Sequence, residues 1–136
     1  MGAGYSGTPL ARKLGIQPGM GVLVVDPPDD YWDLLGGPVE GIQLLGKNWG
    51  TADFVHLFVS SVEDLSRRLP GLRARIHPDG MIWISWPKRA SGVATDLTED
   101  RIREAALANR LVDVKVCAVD AVWSGLKLMI RRKDRR

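Results

Sequence analysis

The chain of 136 residues is poor in cysteine and contains no long apolar run. Its single cysteine, Cys117, excludes an internal disulfide and is typical of a protein from a reducing compartment. No stretch approaches the roughly 18 apolar residues of a membrane span, and segment 1–9 lacks the apolar centre of a signal peptide. The sequence therefore predicts a cytoplasmic protein that does not associate with membranes.

Histidine is also scarce, which limits the chemistry that the sequence can predict. His56 and His77 are the two histidines, and with Cys117 they show no metal-ligand spacing, so no metal site is predicted. The sequence has no phosphate-binding loop motif and no nucleophile-elbow pattern, so no catalytic residue is predicted. His56 lies inside an apolar run and is expected to be a hydrogen-bonded core residue, whereas His77 should be exposed.

The net charge of +3 arises mainly at the C-terminus, where the last six residues hold five cations and one acid. A basic tail can contact nucleic acid, but nucleic-acid-binding domains usually carry a basic face rather than a basic end. We therefore interpret residues 132–136 as a solvated basic tail that follows the folded domain.

Apolar runs alternate with helical patterns, which favours one α/β domain over residues 1–136, with an opening loop at 1–8. The last two strands are joined by too few residues for a parallel crossover, so they should form an antiparallel hairpin. The predicted fold is a three-layer, Rossmann-like, mostly parallel sheet of about six strands, closed by this C-terminal hairpin. The predicted strands are 21–25, 41–45, 53–59 (the central one), 81–85, 112–119 and 123–131, and the predicted helices are 10–14, 31–35, 61–76 and 98–110.

Capping patterns set the helix boundaries. Ser61, with an acid three residues on, and Thr98, followed by two acids, are typical first residues of helices. Asp29 or Asp30 can cap the helix at 31–35, and Gly15 should end the first helix. The pair at positions 70 and 71, Pro-Gly, is expected to bend or split the third helix, and the Pro-Asp-Gly sequence at 78–80 predicts a turn.

Three stretches together resemble the S-adenosylmethionine-dependent methyltransferase fold: 17–23 at the first strand, 52–58 at the central strand, and 69–84 through the next helix and strand. The predicted hairpin matches the end of that fold. Four other stretches, 4–10, 86–88, 90–98 and 123–127, resemble a small bacterial family of unknown function. That second resemblance implies the same fold and no particular activity.

The chain departs from the methyltransferase pattern at the positions that hold the cofactor. Asp26-Pro27-Pro28 stands where a glycine-rich loop is expected, and proline offers no N–H and has a fixed φ. Gly46-Lys47 replaces the acid expected after the second strand. Residues 47–52 are too few to hold the third strand and its helix, which are therefore predicted to be absent.

Ligands of open α/β sheets bind beyond the carboxyl ends of the strands. The segment 86–92 belongs to that edge and combines an aromatic ring, two cations and backbone donors, which suits an anionic or planar group. The alternative interpretation is a plain strand-to-helix loop with solvated cations and a packed Trp86. The candidates for ligand or partner binding are Tyr5, Ser6, Gly7, Asp26, Trp86, Lys88, Arg89 and Ser91.

Five tryptophans are a high share for this length. Trp83 alternates within a strand and should be in the core, as should Cys117. The others, Trp32, Trp49, Trp86 and Trp123, lie at element ends, where they would anchor an interface or pack over sheet edges. A sheet that lacks one strand and helix exposes an edge or a face, so a homodimer is predicted.

These observations favour three functions. The first is a non-catalytic binding or interaction module that has no cofactor and binds another protein or a small ligand. The alternative is a divergent S-adenosylmethionine-dependent methyltransferase, with Asp26 and the loops of the carboxyl edge holding the cofactor. The third is a nucleic-acid accessory protein that uses the basic tail with Lys88 and Arg89.

Overall fold

A computed structural model describes residues 9–37, 39–46 and 50–135 of the chain. The predicted alternation of strands and helices is confirmed, and two 3₁₀ turns, Arg89–Ser91 and Arg132–Asp134, complete the described structure. The elements in chain order are α1 Leu10–Leu14, β1 Gly21–Val25, α2 Tyr31–Leu34, β2 Gln43–Leu44, β3 Ala52–Phe58, α3 Val62–Arg75, β4 Ile76–Pro87, α4 Glu99–Ala108, β5 Leu111–Ala118 and β6 Trp123–Ile130.

Six strands form a single sheet in the order β2-β1-β3-β4-β6-β5. The pairs β1–β2, β1–β3 and β3–β4 are parallel, and β6 is antiparallel to both β4 and β5. β3 lies inside the sheet between β1 and β4, as its continuous apolar sequence predicts. The predicted fold class, a mostly parallel Rossmann-like sheet closed by a C-terminal hairpin, is confirmed.

Each face of the sheet is covered by one pair of helices. α1 and α2 pack on the face that we call the α1–α2 face, whose core includes Leu14, Tyr31 and the buried indole of Trp83. α3 and α4 pack on the opposite face, the α3–α4 face, whose core includes Leu65 and Ile102. Strand residues alternate between these two cores because successive side chains of a strand point to opposite sides.

The predicted helix boundaries are largely confirmed. The Ser61 hydroxyl accepts the N–H of Asp64 at 3.1 Å at the start of α3, and Thr98 caps α4 through the N–H of Arg101 at 3.2 Å. Gly15 ends α1 with φ +92°, a conformation that glycine adopts without a steric penalty. Asp30 occupies the capping position of α2, but its side chain makes no capping hydrogen bond.

Two local features differ from the predictions. α3 is not split at Pro70 but continues past it, and Pro70 is exposed, so the helix carbonyl that loses its partner can be solvated. The second strand covers two residues rather than 41–45.

The predicted turn at 78–80 is an irregularity within β4. Pairing with β3 shifts from Ala52–Ile76 to Phe54–Met81, so the extra residues of β4 bulge out of the ladder. Gly80 is required there, since a Cβ atom would lie 2.5 Å from Ile76 Cγ1 and 3.0 Å from the carbonyl oxygen of Asp53.

Both edge strands expose apolar side chains: Leu44 on β2, and Val114 and Val116 on β5. Exposed apolar side chains of this kind are what an uncovered sheet edge would present to a partner. The homodimer stays a prediction. Among the described helices, none has both the length and the apolar character that crossing a bilayer requires.

Candidate functional site

The carboxyl edge of the parallel strands is the candidate site. β1, β3 and β4 end side by side there, at Val25, Phe58 and Pro87. The chain leaves β1 toward α2 on one face and leaves β3 toward α3 on the other, so the strand order reverses between β1 and β3. Such a reversal opens a crevice above the sheet, where ligands of open α/β folds bind.

Asp26 lies at the mouth of this crevice, directly after β1. Its backbone is left-handed, with φ +54°, a conformation that aspartate tolerates better than most residues. Its carboxylate lies 2.9 Å from Arg68 Nη2 on α3, and Arg68 also contacts Asp64 at 3.2 Å. The Asp26 side chain is 58% exposed and that of Arg68 33% exposed, so the pair is open to solvent and to a ligand.

The connection after Asp26 lacks the features of a nucleotide-binding loop. Pro27 and Pro28 have no N–H to donate, and the carbonyl of Pro28 accepts the N–H of Tyr31 at 3.1 Å to begin α2. α2 is four residues long and makes no side-chain cap. Among the described residues after β2, Leu45 and Gly46 supply no acid, and Lys47 lies outside the described residues.

A cavity of about 620 Å³ lies at the same edge, between the end of β4 and the start of α4. Trp86 lines it although its side chain belongs to the α3–α4 core. The lining includes the cations Arg89 and Arg101 and one acid, Asp96, whose carboxylate accepts the N–H of Val62 at 2.9 Å. The cavity is therefore a cleft with one aromatic wall and an excess of positive charge, which suits an anionic ligand.

The wall of this cleft is attached to the end of β3. The Thr95 hydroxyl donates to the carbonyl of Ser60 at 2.6 Å and accepts the N–H of Leu97 at 3.0 Å. These bonds hold the loop that leads to α4 against the end of β3.

The structure separates the two cations that the sequence placed together. Arg89 lines the 620 Å³ cleft, whereas Lys88 lines a groove of about 760 Å³ with Lys13 and Asp33 on the α1–α2 side. Ser91 is used within its own turn, because its hydroxyl donates to the carbonyl of Lys88 at 2.6 Å. Of the other candidates, Asp26 and Trp86 lie at the carboxyl edge, and Tyr5, Ser6 and Gly7 lie outside the described residues.

A chain of hydrogen bonds is buried beneath this edge. The Tyr31 hydroxyl lies 2.9 Å from His56 Nδ1, and His56 Nε2 lies 2.7 Å from the Ser85 hydroxyl. All three side chains are buried. Burial lowers the pKa of His56 to about 3 and raises the pKa of Tyr31, so both groups are neutral near pH 7. His56 is therefore a satisfied core histidine, as predicted, and solvent does not reach it.

Arg68 and Arg101 are the site residues that sequence reasoning missed. Arg68 stands four residues after Asp64, a spacing that marks a helix-surface ion pair but does not indicate contact with the end of β1. Arg101 lies in the first turn of α4 and reads as an ordinary exposed cation. Nothing in the sequence separates either of them from a solvated helix residue. Within the described residues, no group of three or more histidine, cysteine or acidic side chains is arranged to hold a metal ion.

Comparison with solved structures identifies the fold. A S-adenosylmethionine-dependent methyltransferase from Aquifex aeolicus superposes with a TM-score of 0.61 at 15% identity, covering 89% of this chain and 87% of that one. Magnesium protoporphyrin IX methyltransferase from Synechocystis PCC 6803, with bound S-adenosylhomocysteine, gives 0.59 at 11% identity, covering 89% and 78%. The ribosomal protein L11 methylase from Lactobacillus delbrueckii subsp. bulgaricus gives 0.56 at 15%, covering 89% and 74%.

At these identities the likeness establishes the methyltransferase fold, a mixed α/β sheet with a C-terminal antiparallel hairpin, and nothing finer. No protein-family model matches the chain, and no curated protein matches it.

Proposed function

We propose that this chain binds S-adenosylmethionine in the crevice at the carboxyl ends of β1 and β3, as a divergent methyltransferase. The observation that carries the proposal is the exposed ion pair of Asp26 and Arg68 at the mouth of that crevice, 2.9 Å apart. The methionine end of the ligand carries an ammonium and a carboxylate. Asp26 would accept hydrogen bonds from the ammonium, and Arg68 would donate to the carboxylate.

The solved structures support this function better than the non-catalytic module that the sequence analysis put first. The neighbours include methyltransferases named with bound S-adenosylmethionine or S-adenosylhomocysteine. The match with the Aquifex aeolicus enzyme covers 87% of that chain, so the shared part is nearly a whole methyltransferase domain.

The residues at the crevice suit one end of S-adenosylmethionine better than the other. Asp26 and Arg68 suit its amino-acid end, whereas Pro27 and Pro28 cannot offer the N–H groups of a glycine-rich loop. Leu45 and Gly46, the described residues directly after β2, offer no carboxylate to accept hydrogen bonds from the ribose. We therefore expect binding to depend mainly on the amino-acid end of the ligand.

S-adenosylmethionine supplies a methyl group on a positively charged sulfonium. The contribution of the chain is to hold the ligand by its amino-acid end and to position an acceptor beside it. The cleft lined by Trp86, Arg89 and Arg101 is attached to the end of β3 through Thr95, and its charge favours a negatively charged acceptor.

Calorimetric titration of the full chain tests the proposal. S-adenosylmethionine and S-adenosylhomocysteine should bind saturably, and 5′-methylthioadenosine, which lacks the amino-acid end, should bind at least about tenfold more weakly. Asp26→Asn removes the charge while keeping a residue that tolerates the left-handed backbone, and it should weaken binding by about tenfold or more.

Asp29→Asn is the matched control, since it removes the same charge from an exposed residue of the same loop and should leave binding unchanged. The proposal fails if neither ligand binds at millimolar concentration, or if Asp26→Asn binds as well as the wild-type protein.

The non-catalytic binding module is the second candidate. The observation that favours it is the pair Pro27 and Pro28, which leaves the loop after β1 without two of the N–H donors that a cofactor loop uses. Absence of binding of both ligands by a folded protein would support this function over the first.

A further inference from the structure

Two lysines face each other on the C-terminal hairpin. Lys115 of β5 is directly opposite Lys127 of β6 in the antiparallel register, and Lys127 is also opposite Trp83 of β4. Because Trp83 belongs to the core of the α1–α2 face, both lysines lie on that face. The Cβ atoms of directly opposed residues are about 4.5–5.5 Å apart, and like charges at such positions destabilise a sheet.

The C-terminal turn of α1 lies beside these lysines. Lys115 Nζ donates to the carbonyl of Lys13 at 3.2 Å, and Trp83 Nε1 donates to the carbonyl of Leu14 at 2.7 Å. Lys127 lies in the sheet between Trp83 and Lys115. Because the end of α1 is hydrogen-bonded to both of these neighbours, it crosses the sheet next to Lys127. The partial negative charge of these carbonyls offsets part of the lysine charge.

In the part of the chain that the structure describes, no carboxylate compensates the charge of these lysines. Among the described residues, the ion pairs involve arginines and one histidine, and neither Lys115 nor Lys127 takes part in one. Lys127 is half-buried, and burial, together with the charge of Lys115, lowers the pKa of Lys127. Within the described residues, the hairpin therefore holds two ammonium groups, one of them partly desolvated, without an ion-pair partner.

We propose that Lys115 and Lys127 form a binding site for a phosphate group of a small ligand, beside the C-terminal turn of α1. A phosphate presents several oxygens that accept hydrogen bonds from both ammonium groups, and lysine binds phosphate as a compact point charge. The cluster is compact rather than a stripe along the surface, which favours a single phosphate over a nucleic-acid backbone. The site shares no residue with the proposed S-adenosylmethionine site and does not depend on it.

Titration of the full chain with inorganic phosphate, followed by NMR of the lysine side chains, tests this site. Phosphate should shift the Lys127 signals saturably and raise the pKa of Lys127, since a bound anion favours the charged form. Lys127→Met and Lys115→Met should each weaken phosphate binding by about tenfold. Lys133→Met, in the exposed 3₁₀ turn, is the control and should bind phosphate as the wild-type protein does.

Urea unfolding of Lys127→Met separates loss of the site from misfolding. This variant removes one of two opposed charges, so its midpoint of unfolding should stay unchanged or rise. A short single-stranded oligonucleotide is the second probe. The proposal is overturned if phosphate leaves the Lys127 signals unshifted, or if Lys133→Met lowers affinity as much as Lys127→Met. It is also overturned if the oligonucleotide alone binds and deleting residues 131–136 abolishes that binding.

Discussion

His56 Nε2 lies 2.7 Å from the Ser85 hydroxyl, and together they join two neighbouring parallel strands through side chains as well as backbone. The other ring nitrogen lies 2.9 Å from the Tyr31 hydroxyl at the start of α2. A neutral imidazole has one donor and one acceptor nitrogen, so this chain satisfies both. The described residues contain no buried side-chain polar atom without a partner.

Ser85→Ala should lower the free energy of unfolding by about 1–3 kcal/mol, because it leaves a buried ring nitrogen of His56 without a partner. Urea unfolding at pH 7 measures the change. Ser66→Ala, on the exposed side of α3, is the control and should change stability by less than about 0.5 kcal/mol. Equal stability of Ser85→Ala and the wild-type protein would show that the hydrogen bond is energetically unimportant.

Stability should fall as the pH is lowered from 7 to 5. The pKa of His56 is about 3 in the folded protein and near 6.5 in the unfolded chain, so only the unfolded chain gains a proton in this range. The free energy of unfolding should decrease by about 2 kcal/mol between these pH values. His77→Asn, which changes the exposed histidine, should keep the loss, and NMR should show the His56 ring still neutral at pH 5.

Arg110→Gly should stabilise the protein by about 1 kcal/mol. Arg110 follows the last residues of α4 with φ +59°, a left-handed conformation that costs a residue with a Cβ about 1–2 kcal/mol. Arg101→Gly, inside the same helix, should instead destabilise by about 1 kcal/mol. Thermal unfolding of the two variants should therefore shift in opposite directions, and a common direction would contradict the argument.

Thr95→Val should loosen the wall of the 620 Å³ cleft while keeping the shape of the side chain. The substitution removes the hydrogen bonds to Ser60 and Leu97, at 2.6 and 3.0 Å. Amide exchange in residues 92–97 should accelerate, with a loss of global stability of about 1 kcal/mol. Thr51→Val, at an exposed position before β3, serves as the control, and equal exchange in the two variants would argue against the role of Thr95.

Local signals sufficed where the structure depends on neighbours in sequence. The apolar run of β3 placed it inside the sheet, Ser61 and Thr98 marked the starts of two helices, and the short connection before β6 required an antiparallel hairpin. Each of these features is fixed by residues within a few positions of one another. Pro70 is the exception, since the packing of α3 on the sheet outweighs the local tendency to break the helix.

The contacts of the candidate sites join residues far apart in sequence. Asp26 meets Arg68 across the switch in strand order, and Lys115 meets Lys127 through the register of the hairpin. Lys88 and Arg89 are adjacent in sequence but line different cavities. None of these relationships follows from spacing along the chain.

The succession of strands and helices along the chain, the caps of α3 and α4 and the closing hairpin can be read from the sequence, because backbone conformation responds to local side-chain chemistry and apolar periodicity. Which charges meet at the carboxyl edge and on the hairpin is set by the tertiary structure. The energy of an ion pair or of a like-charge pair depends on distance and burial. Both of these are set only when the sheet assembles.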